Sequence, residues 1–186
     1  MKFTDAQDKA VKMLSSKEFI ERVKEEDETM LEHLDTLKNI NKNGYITVNS
    51  QAGRKEKGKS FQTGKPYEMI ERAYTIGFMQ ESKASIFIKN MSFTDKNAAF
   101  VPYCDDKMHL PSSLDIPLTI TKTEGHTRIE THTSLTLPES VWQHYRKQAG
   151  ISKGEKIVFI TCWDTKWNRN ASTKNGLFSE ILKALS

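Results

Sequence analysis

The sequence predicts an α+β fold: one domain with a mixed or antiparallel sheet and helices packed on it. Three observations carry this. Helix-like and strand-like segments follow one another without the strict alternation that a doubly wound parallel sheet requires. A Thr-rich stretch folding back at Glu124-Gly125 reads as a hairpin with one wet face. The most apolar run, KIVFITCW, reads as a buried strand that precedes a closing amphipathic helix. The expected element order is α-α-β-α-β-β-β-α-β-α.

Residues 1–26 read as a polar helical arm. Val11 and Leu14, then Phe19, Ile20 and Val23, give thin apolar support, and Ser15 with Glu18 has the spacing of a capping box. Met30, Leu31, Leu34, Leu37 and Ile40 then mark one face of a better helix. Asp27 or Thr29 can cap it, and Asn43-Gly44 stops it. Tyr45 to Val48 is a short strand signal. Residues 52–66, AGRKEKGKSFQTGKP, read as a basic loop. Tyr67 to Gln80 reads as a helix, with Met69, Ile70, Ala73 and Tyr74 inward, and Ser85 to Phe93 as a strand. Residues 94–113 read as irregular. Leu114 to Thr123 and Thr127 to Leu137 are the hairpin strands. Pro138 opens a helix to about Gln148. Glu155 to Trp163 is the buried strand, and Leu177 to Leu185 the final helix, capped by Ser172 or Thr173.

Composition narrows the function classes. With 37% apolar and 28% charged residues the chain is polar but able to build a core. No apolar run reaches the roughly 18 residues of a membrane span, and the start has no signal-peptide pattern, so a cytoplasmic protein with no membrane partner is expected. Two cysteines, Cys104 and Cys162, exclude a disulfide framework and a Cys-rich zinc site. A net charge of +4 is too small to argue for nucleic acid, which is not expected as a partner.

Three patterns compete for chemistry. Gly53 to Ser60, GRKEKGKS, matches G-x-x-x-x-G-K-[ST], so Gly58, Lys59 and Ser60 are candidate phosphate-binding residues. The context is poor, because Gly64 and Pro66 fall where the following helix should run. His126, Glu130 and His132 share one strand face, which a solvated hairpin explains without a metal. The third pattern is Asn41 to Gln51, NKNGYITVNSQ. It collects neutral donors and acceptors at the end of a helix-turn-strand unit, with Thr47, Asn49 and Gln51 expected on the strand face that Tyr45 shares upstream. A turn with local side-chain-to-backbone bonds accounts for this as well as a polar ligand site does.

The third pattern resembles the start of the C-terminal regulatory domain of eukaryotic methylenetetrahydrofolate reductase. Glu28-Thr29 ahead of the leucine-rich helix is similar to the family. So are YEMIERAYTIGF, through Arg72, Ala73, Tyr74 and Phe78, and the closing VFITCWDTKW and GLFSEILKAL. The resemblance spans about residues 27–185 and departs at Ala52, where the family has proline, and in the basic loop. It implies a ligand-binding domain over residues 27–186 that holds S-adenosylmethionine or S-adenosylhomocysteine as a bound ligand, not a turned-over cofactor. No reductase activity is implied, since no counterpart of the catalytic barrel lies in these residues. Glu28, Thr29, Thr47 and Ser50 match ligand-contacting positions, Gln51 completes the motif, and Thr127 and Thr131 are candidates for two later threonines. A regulated protein in trans and a homodimer are the implied partners. The expectation is therefore a non-catalytic sensor, with no metal. Its rivals are a P-loop nucleotide-binding enzyme and an interaction module whose basic loop, 54–65, meets nucleic acid or another acidic partner.

Overall fold

In the computed structural model, which describes residues 1–92, 98–104, 115–133 and 139–186, two four-stranded antiparallel sheets and six α-helices make a mixed α+β fold. The first sheet has the order β1-β4-β8-β5, from Tyr45–Gln51, Tyr74–Gln80, Ile157–Asp164 and Ala98–Cys104. The second has the order β2-β3-β6-β7, from Lys55–Lys59, Pro66–Glu71, Asp115–Thr123 and His126–Thr133. β1 runs into β2 and β3 into β4, while β1 pairs with β4 and β2 with β3. The stretch from Tyr45 to Gln80 is thus one long hairpin ribbon. Its root belongs to the first sheet and its tip to the second, and it passes between them at the buried Ala52 and Ala73.

The first sheet is covered on both faces. Strand alternation sends Val158, Ile160 and Cys162 of β8 to one side and Ile157 and Phe159 to the other. On the first side the sheet meets α3 (Leu34–Lys42), α4 (Glu81–Met91) and α6 (Leu177–Leu185). Leu37, Ile40, Phe87, Phe178 and Ile181 pack there with Tyr45 and Met79. The Tyr45 ring is fully buried, and its hydroxyl donates to the Ile160 carbonyl at 2.8 Å. On the second side lie α1 (Phe3–Met13) and α5 (Glu139–Ala149). Phe3, Ala6 and Ala10 pack against Ile46, Ile76 and Phe78, and Tyr145 stacks on Phe159. The N-terminal arm therefore has two characters. α1 contributes to the core, whereas α2 (Lys17–Asp27) buries none of its residues fully.

Several elements stand where the sequence puts them: β1, the β6–β7 hairpin, α5, β8 and α6. Gly44, with φ of 101°, ends the α3 segment in the left-handed conformation that glycine adopts without penalty. Others differ. Tyr67 to Gln80 is two strands, not a helix, and the expected strand from Ser85 is helical through Met91, Phe93 lying outside the described residues. In α4, Ala84, Phe87 and Met91 are inward at helical spacing while Ile86 is 62% exposed. The basic loop contains β2, and the irregular stretch 94–113 contains β5. The helix over Met30 to Ile40 begins as a 3₁₀ segment, Glu28–His33, capped by the Asp27 carboxylate, which accepts from Thr29 N at 3.1 Å. Ser16, not Ser15, caps α2 by accepting from Phe19 N. Neither Ser172 nor Thr173 caps α6. Gly176 precedes it, and Ser172 Oγ instead meets the buried His33 Nδ1 at 2.7 Å. Pro138 and residues 134–137 lie outside the described residues.

Candidate ligand-binding site

β1 contains a bulge. Its register runs from Thr47 opposite Gly77 to Asn49 opposite Ile76, so Val48 has no partner of its own. This corrects the alternation expected from the sequence. Thr47 and Ser50, three apart in the chain, stand opposite Gly77 and Thr75, which are two apart on β4 and share a face; Asn49 belongs to the other. The bulge is what lets the two hydroxyls of the motif face the same way. Asn41 braces the first of them: its side-chain oxygen accepts from Thr47 N at 3.0 Å, and its amide donates to Thr47 Oγ1 at 2.9 Å. The Thr47 hydroxyl hydrogen is left to donate elsewhere. Ser50 Oγ lies 2.9 Å from Thr75 Oγ1.

Thr47, Ser50 and Gln51 form one wall of a cavity of about 450 Å³. The opposite wall comes from α2, through Phe19, Arg22, Val23 and Glu26. The floor is Met30, Leu34 and Leu37, and Asp27 and Arg54 complete the rim. The lining thus mixes apolar side chains with neutral polar and charged ones, a composition suited to a small amphipathic ligand.

The charges are held in a defined network. Gln51 Nε2 donates to Asp27 Oδ2 at 2.8 Å, and Arg54 Nη1 lies 3.3 Å from Asp27 Oδ1. Arg54 Nε donates to Glu71 Oε2 at 2.5 Å. Burial pushes the Asp27 carboxyl up, but hydrogen bonds from Thr29 and Gln51 and the Arg54 charge outweigh it, so Asp27 titrates below the usual aspartate range. Glu71 goes the other way. Burial raises it, the Asp27 and Glu56 charges add to the rise, and Arg54 opposes it. Arg54 therefore serves two carboxylates of unequal character, and the one at the cavity is firmly anionic.

The predicted site residues divide. Thr47, Ser50 and Gln51 line the cavity. Glu28 and Thr29 do not; both are exposed, and Thr29 acts through its neighbour, donating from Oγ1 to Asp27 Oδ1 at 2.5 Å. β1 returns toward the start of the helical segment and meets it at Asp27, through Gln51. The Asp27 carboxylate also accepts from the Thr29 amide at the start of that segment, at 3.1 Å. Thr127 is exposed on β7, opposite Lys122, and is no part of the cavity; Thr131 lies on the same strand, opposite Pro117.

The phosphate-loop match does not fold as one. Gly58 and Lys59 lie in β2, Lys59 pairs with Pro66, and the chain turns back at Ser60 instead of starting a helix there. Asp164, in the stretch that resembles the family's closing loop, is a buried anchor. Arg169 Nε donates to it at 2.8 Å and Lys166 N at 2.7 Å. Among the described residues no cluster of three metal-ligating side chains occurs. Cys162 is buried, and burial pushes its thiol up to about 12, which makes it a core residue.

Sequence reasoning missed Arg22, Glu26 and Arg54 at the cavity and Glu71 behind it. Arg54 and Glu71 meet only because residues 54–71 form a hairpin, and that pairing was hidden by reading a loop followed by a helix. What the fold and site define is a class: an α+β domain with one cavity of mixed apolar, polar and charged lining against a bulged edge strand. Comparison with protein-family models found no match to this chain, and comparison with curated proteins found none either.

Proposed function

We propose that this chain is a sensor domain that binds S-adenosylmethionine or S-adenosylhomocysteine in the cavity beside β1, without turnover, and regulates a protein partner. The observation that carries the reading is the meeting of Thr47, Ser50 and Gln51 with Asp27 and Arg54 around one space. The ligand has an apolar chain, a purine, ribose hydroxyls and an amino-acid zwitterion. Asp27 is suited to the ammonium or the ribose diol, and Arg54 and Arg22 to the carboxylate. The Thr47 hydroxyl donates to a ligand acceptor, and the Phe19, Met30 and Leu34 side takes the apolar portion.

Calorimetry with S-adenosylmethionine, S-adenosylhomocysteine and ATP tests this. One or both sulfur nucleosides are expected to bind and ATP not to. Thr47→Ala should weaken binding by about 1 kcal/mol, the cost of an unpaired polar partner. Asp27→Asn should cost more, since a charged hydrogen bond is lost. Glu28→Ala, at an exposed position outside the cavity, should change little. Failure of the wild type to bind either nucleoside, or indifference of binding to both Thr47→Ala and Asp27→Asn, would overturn the proposal. The homodimer implied by the same resemblance is tested by light scattering, where a monomer at high micromolar concentration removes it.

A further inference from the structure

The ribbon that carries the cavity wall at its root ends in a feature the cavity does not use. Phe61 stands at the tip between β2 and β3 with its side chain entirely in solvent, at 104% exposure. The tip is built to hold it there. Ser60 N donates to Lys65 O at 2.8 Å and Gly64 N to Ser60 O at 2.8 Å, and Ser60 Oγ accepts from Thr63 N at 3.3 Å. Gly64, with φ of 65°, closes the turn in the conformation glycine favours. Ser60, the last residue of the phosphate-loop match, thus anchors a hydrogen-bonded turn that presents one aromatic ring.

Charge is layered behind that ring. Lys59 and Lys65 flank the turn, and both are exposed. Two residues further down, about 7 Å along the strand, the row Lys57, Glu68, Lys122 and Thr127 crosses the sheet. In that row Glu68 pairs with Lys55 at 2.6 Å, and its carboxyl is held below the ordinary range by that hydrogen bond and by the Lys55, Lys57 and Lys122 charges, against a smaller effect of burial. Glu124, at the neighbouring β6–β7 turn, is the acid closest to the tip in register, and His126 follows it. From the apex inward the order is apolar, then cationic, then mixed charge.

The geometry points to docking of this tip on an anionic lipid surface, with Phe61 entering the acyl boundary, Lys59 and Lys65 at the level of the phosphates and Lys57 behind them. That depth order is the order of a bilayer read from the inside out. The absence of a spanning run, from which no membrane partner was expected, concerns insertion through a bilayer, and a headgroup contact needs no span. Nucleic acid suits the tip less. Stacking on single strands uses successive rings on one face, and Tyr67, the other aromatic of the ribbon tip, lies on the opposite sheet face from the lysine row, donating to Glu56. Lysines on an edge strand also discourage strand addition, but that role leaves Phe61 without a purpose.

Co-sedimentation of the full chain with phosphatidylcholine vesicles containing about one third phosphatidylserine tests the inference. Binding is expected at low salt, with much less to pure phosphatidylcholine and a steep fall as salt rises. Lys59→Gln and Lys65→Gln should each weaken it about fivefold, and Phe61→Ser about tenfold. Phe61 makes no buried contact, so thermal unfolding of Phe61→Ser should match the wild type. No association of the wild type with the anionic vesicles would overturn the inference, as would binding that Phe61→Ser leaves unchanged. So would a single-stranded oligonucleotide that binds more tightly than vesicles and loses affinity in Phe61→Ser. None of these results depends on whether the cavity binds a sulfur nucleoside.

Discussion

The two ends of one ribbon differ in almost everything except their backbone pairing. At the root, β4 runs YTIGFMQ with its five central residues buried, between β1 and β8. At the tip, β2 runs KEKGK and buries none, and β3, PYEMIE, is half-exposed at all but its first residue. Root strands are held by apolar burial on both faces. Tip strands rest on ladder hydrogen bonds and cross-strand pairs such as Lys55 with Glu68 and Tyr67 with Glu56. The stability of this fold therefore concentrates in the first sheet, and the second is free to vary its surface.

Glycine substitution should separate the two ends most sharply. A Cβ on Gly77 would stand 2.3 Å from the Ile46 carbonyl oxygen and 2.7 Å from the Tyr45 ring, so backbone itself would have to move. Gly77→Val is expected to cost more than about 4 kcal/mol or to prevent folding. At the tip, a Cβ on Gly58 would meet only the Tyr67 side chain, at 3.0 to 3.1 Å. Gly58→Ala should stay within about 1 kcal/mol in urea unfolding. Equal losses at the two glycines would erase the contrast.

Truncation of large side chains gives a smaller but cleaner measure. Phe159 is fully buried between Phe78 and Tyr145, and Phe159→Ala should cost about 3–5 kcal/mol. Ile129, on the second sheet, is 56% exposed, and Ile129→Ala should change stability by no more than about 0.5 kcal/mol. A large loss at Ile129 would mean that the second sheet carries more of the fold than its exposure indicates.

The smallest effect lies at the junction of the two ends, where Asp27 meets Gln51 and Arg54. Because the folded protein holds Asp27 below the ordinary aspartate value of 3.8, the carboxylate favours folding above that pH, and the contribution is lost as pH falls through the lower folded value. Wild type should therefore exceed Asp27→Asn in stability at neutral pH, and the gap should close below about pH 4. Glu71 has the opposite sign: its raised carboxyl favours the fold below 4.5 and loses that contribution as pH rises through its folded value. Paired acid titrations of Asp27→Asn and Glu71→Gln check both signs.

The same contrast explains what the sequence made legible. β8 and α6 announce themselves because IVFITCW is apolar at every position but Thr161 and LFSEIL is apolar at helical spacing, each with one face or two to bury. Residues 67–80 misled because Met69, Ile70, Ala73 and Tyr74 fall at helical spacing by coincidence. Met69 and Ile70 occupy opposite faces of a half-wet sheet, and Ala73 and Tyr74 belong to the passage into the next strand. α4 misled in reverse, because Ile86 and Ile88 mimic strand alternation while Phe87 points to the core. At the site, Thr47, Ser50 and Gln51 were legible as a polar cluster, but the side chains facing them were not. Arg22 and Glu26 come from a helix with little apolar signal, and Arg54 is placed by a hairpin that only backbone pairing defines.

The bulge at Val48 also bears on how this strand can change length. An insertion inside a β-strand ordinarily inverts every side chain beyond it, and a deletion does the same, which is why strand interiors rarely gain or lose single residues over evolutionary time. Val48 is an exception, because Thr47 and Asn49 already face consecutive residues of β4. Removing Val48 would leave Ser50 opposite Thr75 and Gln51 opposite Tyr74. β1 thus has one position at which a related chain can be a residue shorter while its hydroxyls keep their orientation, and an alignment that places a gap there is structurally sound.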